Sequence, residues 1–498
     1  MDPLATSLQR ALSLHQRGDF AAAMPLYREV LAAQPRNADA LHLLGVALRQ
    51  AGDAAAAAAS IEAAIAIDPS LAIAHSNLGA ALQDLGRTED ALAAYDRALA
   101  LKPDYAMAHA NRGNALRRLG RMADALDSYD RALHLNPSAA EAWSNRGLAL
   151  DALGRFEAAM DSFGRALALR PKFADSWSGQ GVALQGAGHL EAAGDSYARA
   201  LECDPGHAEA LVNMATLLQR LHRHDDALAY ADEAVARHPA NPAARLRRAN
   251  ALHALGRQEE AAHAFHAARA CGADPGLCSF MLAALGAEPA PAAAPAPYVQ
   301  ALFDQYAGHF DEHLGEVLGY RTPEALAAAL AAHVQAKGDV LDAGCGTGLC
   351  GPLLRPFAAT LAGVDLSPKM VEAARRTGVY DLLECAELGA FLARHRQAFD
   401  IVAAADVLVY VGDLEPVFAS AAGALRGDGL LAFSVEAGTD AGYTLQPSGR
   451  YAHGAGYLRA LAARHGFEVL DLSRHTLRRD REGGIEGYLA VMRLGRRP

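Results

Sequence analysis

The stretch Val340-Leu341-Asp342-Ala343-Gly344-Cys345-Gly346-Thr347-Gly348 decides how the second half of this chain folds. An apolar run ends in an aspartate and then meets three glycines at alternate positions. Glycine adopts backbone angles that other residues avoid, so such a run turns sharply and brings backbone amides close to a ligand at a helix start. A nicotinamide-binding fingerprint needs its third glycine at position 349, where this chain has Leu349. Working outward, a second apolar run reads Gly363-Val364-Asp365-Leu366-Ser367. It places Asp365 at a strand end, about 20 residues downstream, where a carboxylate accepts two hydrogen bonds from a ribose diol.

The flanking sequence alternates between strand and helix patterns. Strands are expected at Asp339–Asp342, Leu361–Asp365, Asp381–Cys385, Ile401–Ala404 and Leu430–Val435. That alternation predicts a doubly wound, mostly parallel sheet. Glu468–Leu477 and Glu486–Leu494 flank Arg481-Glu482-Gly483-Gly484 and predict a closing antiparallel hairpin.

DxGxGxG followed by a strand-end Asp resembles the class I S-adenosylmethionine-dependent methyltransferases, over about residues 298–498. The resemblance implies an α/β Rossmann-like domain with a seven-stranded sheet of order 3-2-1-4-5-7-6, strand seven antiparallel. It implies S-adenosyl-L-methionine as cofactor, with Gly344, Gly346 and Gly348 under its methionine part and Asp365 on the ribose hydroxyls. Leu366 and Met370 would flank the adenine, with Ala386 and Glu387 at its amino group. Asp342 is expected to organise the glycine loop. The opening Tyr298–Arg321 extends the likeness to a bacterial group of predicted methyltransferases fused to tetratricopeptide repeats. It offers Tyr306 and Phe310 as lid residues, or as rings of a helix core.

Methyl transfer from a sulfonium is an in-line displacement, so the protein mainly orients the partners and excludes water. A base is needed only where the acceptor loses a proton. Ligands of open sheets bind at the carboxyl ends of the strands. This points to Asp406 and Tyr410 after strand four, Glu436 after strand five, and then Arg450, Tyr451 and His453. His453 is the natural candidate for a base because imidazole titrates near neutrality; a polar contact or helix cap is the alternative. Asp406, His453 and Tyr410 are thus the expected catalytic group.

Upstream, Glu288–Pro297 reads EPAPAAAPAP, which favours an extended, semi-rigid spacer over a helix. Residues 286–297 are therefore expected to link a repeat domain, 1–285, to the cofactor domain, 298–498. Before the linker the chain is a lattice. Prolines stand at 35, 69, 103, 137, 171, 205 and 239, each 34 residues after the last. Glycines recur at 45, 79, 113, 147 and 181 and again at 52, 86, 120, 154 and 188. A ring follows the same period at Tyr27, Tyr95, Tyr129, Phe163, Tyr197 and Phe265. Each unit predicts two helices, for instance Ala106–Leu119 and Met122–Leu135, which bury their apolar faces only by stacking on neighbours. Trp143, Gly147, Ala159, Phe163, Ala166 and Pro171 resemble the tetratricopeptide repeat family, with about eight units in an all-α solenoid. The resemblance implies a concave groove in which Asn77, Asn111, Asn145 and Asn213 grip the backbone of a protein or peptide partner. Polar residues on an exposed helix face are the alternative account of these asparagines.

Across 498 residues, 46 Lys and Arg stand against 57 Asp and Glu, a net charge of −11. Neither half has a basic surplus, which disfavours nucleic acid and anionic membranes as partners. Six scattered cysteines with no CxxC pair predict reduced thiols, no metal site and a cytoplasmic setting. Met1-Asp2-Pro3-Leu4 predicts no secretory leader, and no apolar stretch reaches the length of a membrane span. A methyltransferase whose repeats recruit its partner or substrate fits these features. A small-molecule methyltransferase with repeats for assembly, or a non-catalytic adaptor with a cofactor-binding end domain, are the alternatives.

Overall fold

The computed structural model describes residues 3–306, 321–439, 442–479 and 483–496. The chain divides into two compact units, Met1–Pro239 and Ala240–Pro498.

The first unit is a run of antiparallel helix pairs, from Pro3–Gln16 with Phe20–Ala33 to Ala208–Arg220 with His224–Arg237. The lattice residues explain the repetition. A Cβ placed on Gly79, Gly113, Gly147 or Gly181 would lie 2.6, 2.6, 2.8 or 2.5 Å from the ring of Tyr95, Tyr129, Phe163 or Tyr197. Those rings are fully buried, so glycine is what lets each pair close around its aromatic. In the second unit from the chain start Ile61 takes the place of the ring, 2.5 Å from a Cβ on Gly45. The glycines between paired helices, such as Gly86 and Gly120, have φ near +74° and +73°, a left-handed turn that suits them. At the same lattice point His222 holds φ +56°.

The proline period has its own partner. Ring N–H groups of His75, His109, Trp143 and Trp177 donate to the carbonyls of Pro69, Pro103, Pro137 and Pro171 at 3.0, 2.9, 2.9 and 2.9 Å. Each clamp fixes the entry into a new helix pair. Arg112 spans neighbouring pairs through Asp96 (2.6 Å) and Ser128 (2.7 Å), and Arg146 repeats this with Asp130 and Ser162 at the same distances.

The second unit opens with one more pair, Pro242–Ala254 and Gln258–Ala270, then the helix Pro275–Ala284. Past the Pro/Ala segment come helices Ala296–Tyr306 and Thr322–Ala331, then a sheet. Its strands are β1 (Gly338–Ala343), β2 (Ala358–Asp365), β3 (Leu382–Cys385), β4 (Phe399–Ala404) and β5 (Leu425–Ala437). After these come β6 (Tyr443–Leu445), β7 (Tyr451–His453), β8 (Phe467–Arg479) and β9 (Gly484–Leu494). Strands β1 to β5 pair in parallel in the order β3-β2-β1-β4-β5, and β9 lies antiparallel between β5 and β8. Counting long strands only, this is the expected 3-2-1-4-5-7-6. Alternate residues feed two cores: Leu341, Val402 and Phe433 on one face, Val340, Ile401 and Ala432 on the other.

The sheet has nine strands among the described residues where seven were expected. The addition is the hairpin β6–β7, which attaches where β5 runs on past β4, pairing Glu436 with Ala452 and Ala437 with His453. The Pro/Ala segment is extended, as its composition dictates, yet it is bound to the sheet domain at Tyr410–Asp413 instead of spanning solvent.

Candidate cofactor and acceptor site

A cavity of about 240 Å³ lies at the carboxyl ends of β1, β2 and β4, where the order of an open sheet reverses. Gly344 and Gly346 form its floor, with φ of +72° and +53°. A Cβ on Gly344 would sit 2.3 Å from Val407, so the loop threads beside the next strand end only because the side chain is absent. Asp365 also lines the cavity. Its carboxylate is fixed by two backbone amides, Gly346 N–H at 2.9 Å and Ser367 N–H at 2.8 Å, one on each oxygen. Burial pushes its pKa up, and the amides of Ser367, Gly346 and Leu366 oppose that shift. Leu366, Ala386 and Glu387 complete this end. Glu387 caps the helix Leu388–Arg394 through the amides of Gly389 (2.9 Å) and Ala390 (2.7 Å).

Two residues expected against the cofactor, Gly348 and Met370, face elsewhere, and Asp342 lies outside the cavity. Gly348 has φ +98° and packs toward Thr377 and Ala374. Met370 is fully buried, in the first turn of helix Pro368–Thr377, and points into the core. Asp342 lies behind the loop, where the Tyr380 hydroxyl donates to it at 2.5 Å. Burial raises its pKa to about 7. That position suits an organiser of the loop; it does not line the cavity.

The opposite end carries Asp406, Tyr410 and Arg450, with Phe303 and Val411 as apolar walls. Asp406 follows β4 in a left-handed turn, φ +57°, and its amide donates to Ser434 Oγ at 2.8 Å. Its carboxylate accepts from Arg478 at 3.0 Å and from Arg450 at 3.4 Å. Arg478 also pairs with Glu436, which lies 3.7 Å from Arg450. Two guanidinium groups and two carboxylates thus form a largely buried quartet; Arg478 is its most enclosed member at 6% side-chain exposure and Arg450 its most open at 24%. The Arg450 guanidinium stands 5.5 Å over the Tyr410 ring, and Phe303 meets that ring edge-on at 5.5 Å.

His453 is a correction. It is fully buried, its Nε2 donates to the carbonyls of Val411 (2.9 Å) and Gly412 (3.1 Å), and it does not line the cavity. Desolvation lowers its pKa to about 4, so it stays neutral and holds the turn after Tyr410. Tyr451 is likewise buried, with its hydroxyl on the Pro291 carbonyl. Arg478 was not foreseen: a lone arginine in a strand gives no signal of its partners 42 and 72 residues away. Phe310 lies outside the described residues, and so does the side chain of Tyr306.

In the repeats, Asn77, Asn111, Asn145 and Asn213 are all half-buried on the first helix of their pairs. Asn77 Nδ2 donates to His42 Nε2 at 2.8 Å, and Asn145 Nδ2 to Asn114 Oδ1 at 3.0 Å.

Comparison with known proteins agrees with both halves. A family model described as a methyltransferase domain matches residues 341–433, and tetratricopeptide repeat models match 8–72, 77–140, 140–173 and 212–276. The chain carries tetratricopeptide repeats ahead of a methyltransferase domain. A curated relative, a ubiquinone biosynthesis O-methyltransferase of Thiobacillus denitrificans, is 29% identical over 30% of this chain and 64% of its own length. Its counterpart in Coxiella burnetii is 30% identical over 19% of this chain and 42% of its own. The chain therefore spans less than two thirds of these relatives. Among solved structures, the crystal structure of MamA is 28% identical, with a TM-score of 0.31 over 32% of this chain and 95% of its own. YrrB, described as a TPR protein with an unusual peptide-binding site, is 27% identical, with a TM-score of 0.32 over 38% of this chain and 96% of its own. Among the described residues of the methyltransferase-bearing chain, no helix is long and apolar enough to cross a membrane.

Proposed function

We propose that the protein is an S-adenosylmethionine-dependent methyltransferase whose repeats recruit a protein or peptide that is its substrate or partner. The observation that carries this is Asp365, fixed on the cavity wall by the amide of the very glycine loop that forms the floor. With each oxygen holding one backbone N–H, lone pairs remain for a diol, so the residues fit the cofactor. Gly344 and Gly346 would hold its methionine part, Asp365 its ribose and Leu366 with Ala386 its adenine. Bound there, the cofactor supplies an activated methyl group. The chain's own residues orient and enclose the acceptor. Asp406, anchored by Arg478, offers a fixed carboxylate; Tyr410 and Phe303 offer an apolar wall that excludes water.

The first test is binding of S-adenosylmethionine to the purified protein by calorimetry. Asp365→Ala should weaken it at least about tenfold, since hydrogen bonds to a charged group contribute about 1.5–3 kcal/mol. Binding equal to wild type would refute the assignment. A second reading, a small-molecule acceptor, draws on the apolar acceptor end and on the two relatives' names. Transfer of labelled methyl groups in cell lysate separates the two: label on protein supports the first, label only on small molecules the second.

A further inference from the structure

The Pro/Ala segment is tied to the site. The Ala292 carbonyl accepts from the amides of Gly412 and Asp413, both at 2.8 Å, and the Ala294 amide donates to the Tyr410 carbonyl at 2.9 Å. Between them Ala293 bridges Val411 in antiparallel fashion. These partners run on from Tyr410, and Ala293, Ala294 and Ala296 line the same cavity as Tyr410. An extended segment that docks through its backbone behaves as an added edge strand, so its seat is specific although its composition is plain.

Tyr451 secures that seat from the other side. Its hydroxyl donates to the Pro291 carbonyl at 2.8 Å. Its ring lies 5.9 Å from Tyr443 and 6.5 Å from Phe280, which in turn meets Tyr298 at 5.2 Å. A Cβ on Gly412 would come within 2.5 Å of the Tyr451 ring, so the turn after Tyr410 and the hairpin fit each other closely. The same hairpin carries Arg450 into the cavity, and the helix Pro275–Ala284, which follows the last pair, sets Phe280 against its Tyr451.

We propose that the Pro/Ala segment and the β6–β7 hairpin are one working wall of the acceptor end, with Tyr451 as its positioning residue, so that seating of the wall and ligand binding in the cavity are coupled. This rests on the cofactor assignment above. If ligand binds best when the wall is seated, linkage requires that ligand also stabilise the seat, by the same factor. The probe is S-adenosylhomocysteine with the full-length protein. Hydrogen exchange at the amides of Ala294, Gly412 and Asp413 should slow when it binds. Tyr451→Phe keeps the ring and removes the hydroxyl; in the free protein it should speed exchange at those amides about three- to tenfold, and it weakens S-adenosylhomocysteine only as far as it lowers the seated fraction. A merely structural tyrosine would lower the melting temperature and speed exchange throughout the domain alike. Binding without slowed exchange in the wild type overturns the coupling whether or not the variant folds, and so does a folded variant whose exchange at those amides is unchanged. No binding by the wild type overturns the cofactor assignment itself, and the coupling with it.

Discussion

At the scale of single residues, the electrostatics of the glycine loop centre on Asp342. Its folded pKa, about 7, lies above the value near 4 of an unfolded aspartate, so the native state holds a proton that the unfolded chain releases. The stabilisation is complete below about pH 4 and is lost as pH rises toward 7. Asp342→Asn stays neutral and still accepts from Tyr380. Its stability relative to wild type should therefore rise across that window, by up to roughly 4 kcal/mol. Denaturant titrations at pH 4, 5, 6 and 7 measure it, and parallel profiles for the two proteins would contradict the buried protonated carboxyl. The residue scale also shows why sequence reasoning misjudged His453. Near-neutral imidazole chemistry is a property of solvated histidine, and here two carbonyls and a closed core remove it. The position of Asp365 on the cavity wall was legible because it depends on the strand end that its own neighbours create.

At the scale of elements, the repeats were legible almost in full. Each lattice position meets the same surroundings every 34 residues, so one physical reading of Gly113 and Tyr129 serves the series. The left-handed turn between paired helices gives a prediction. Glycine holds it at Gly18, Gly52, Gly86, Gly120, Gly154, Gly188 and Gly256, and His222 alone among these lattice points does not. A left-handed non-glycine residue costs about 1–2 kcal/mol, and glycine's greater freedom when unfolded returns part of that. His222→Gly should raise the urea midpoint by an amount equivalent to about 0.5–1 kcal/mol. An unchanged or lower midpoint would mean that the histidine's contact with His224 outweighs the backbone strain. What the sequence hid were elements whose stability is borrowed. The strands of β6–β7 have three residues each and exist because β5 offers an edge. The Pro/Ala segment showed its extended form in its composition, but its partner, Val411, is 118 residues away and only the folded sheet brings it near.

At the scale of the whole molecule, the proposed division of labour separates capture from chemistry. Replacing Asn77, Asn111 and Asn145 together with Ala removes amides from the first helices of their pairs and leaves the cavity residues unaltered. Partner capture by the immobilised full-length protein should fall by about tenfold or more, at roughly 1 kcal/mol for each amide lost, with S-adenosylmethionine affinity unchanged. Equal capture by wild type and variant would discard the asparagine ladder. The regularity of the array has one more consequence. Because the four successive pairs between Ala72 and Cys203 each carry a glycine–ring lock and a clamp onto a proline carbonyl, whole units can be gained or lost there by gene duplication or deletion without redesigning a junction. The final pair has no such licence. It runs on into the helix Pro275–Ala284, whose Phe280 meets Tyr451 of the hairpin, so lineages are expected to vary in the number of those earlier units while the pair Pro242–Ala254 and Gln258–Ala270 stays in place.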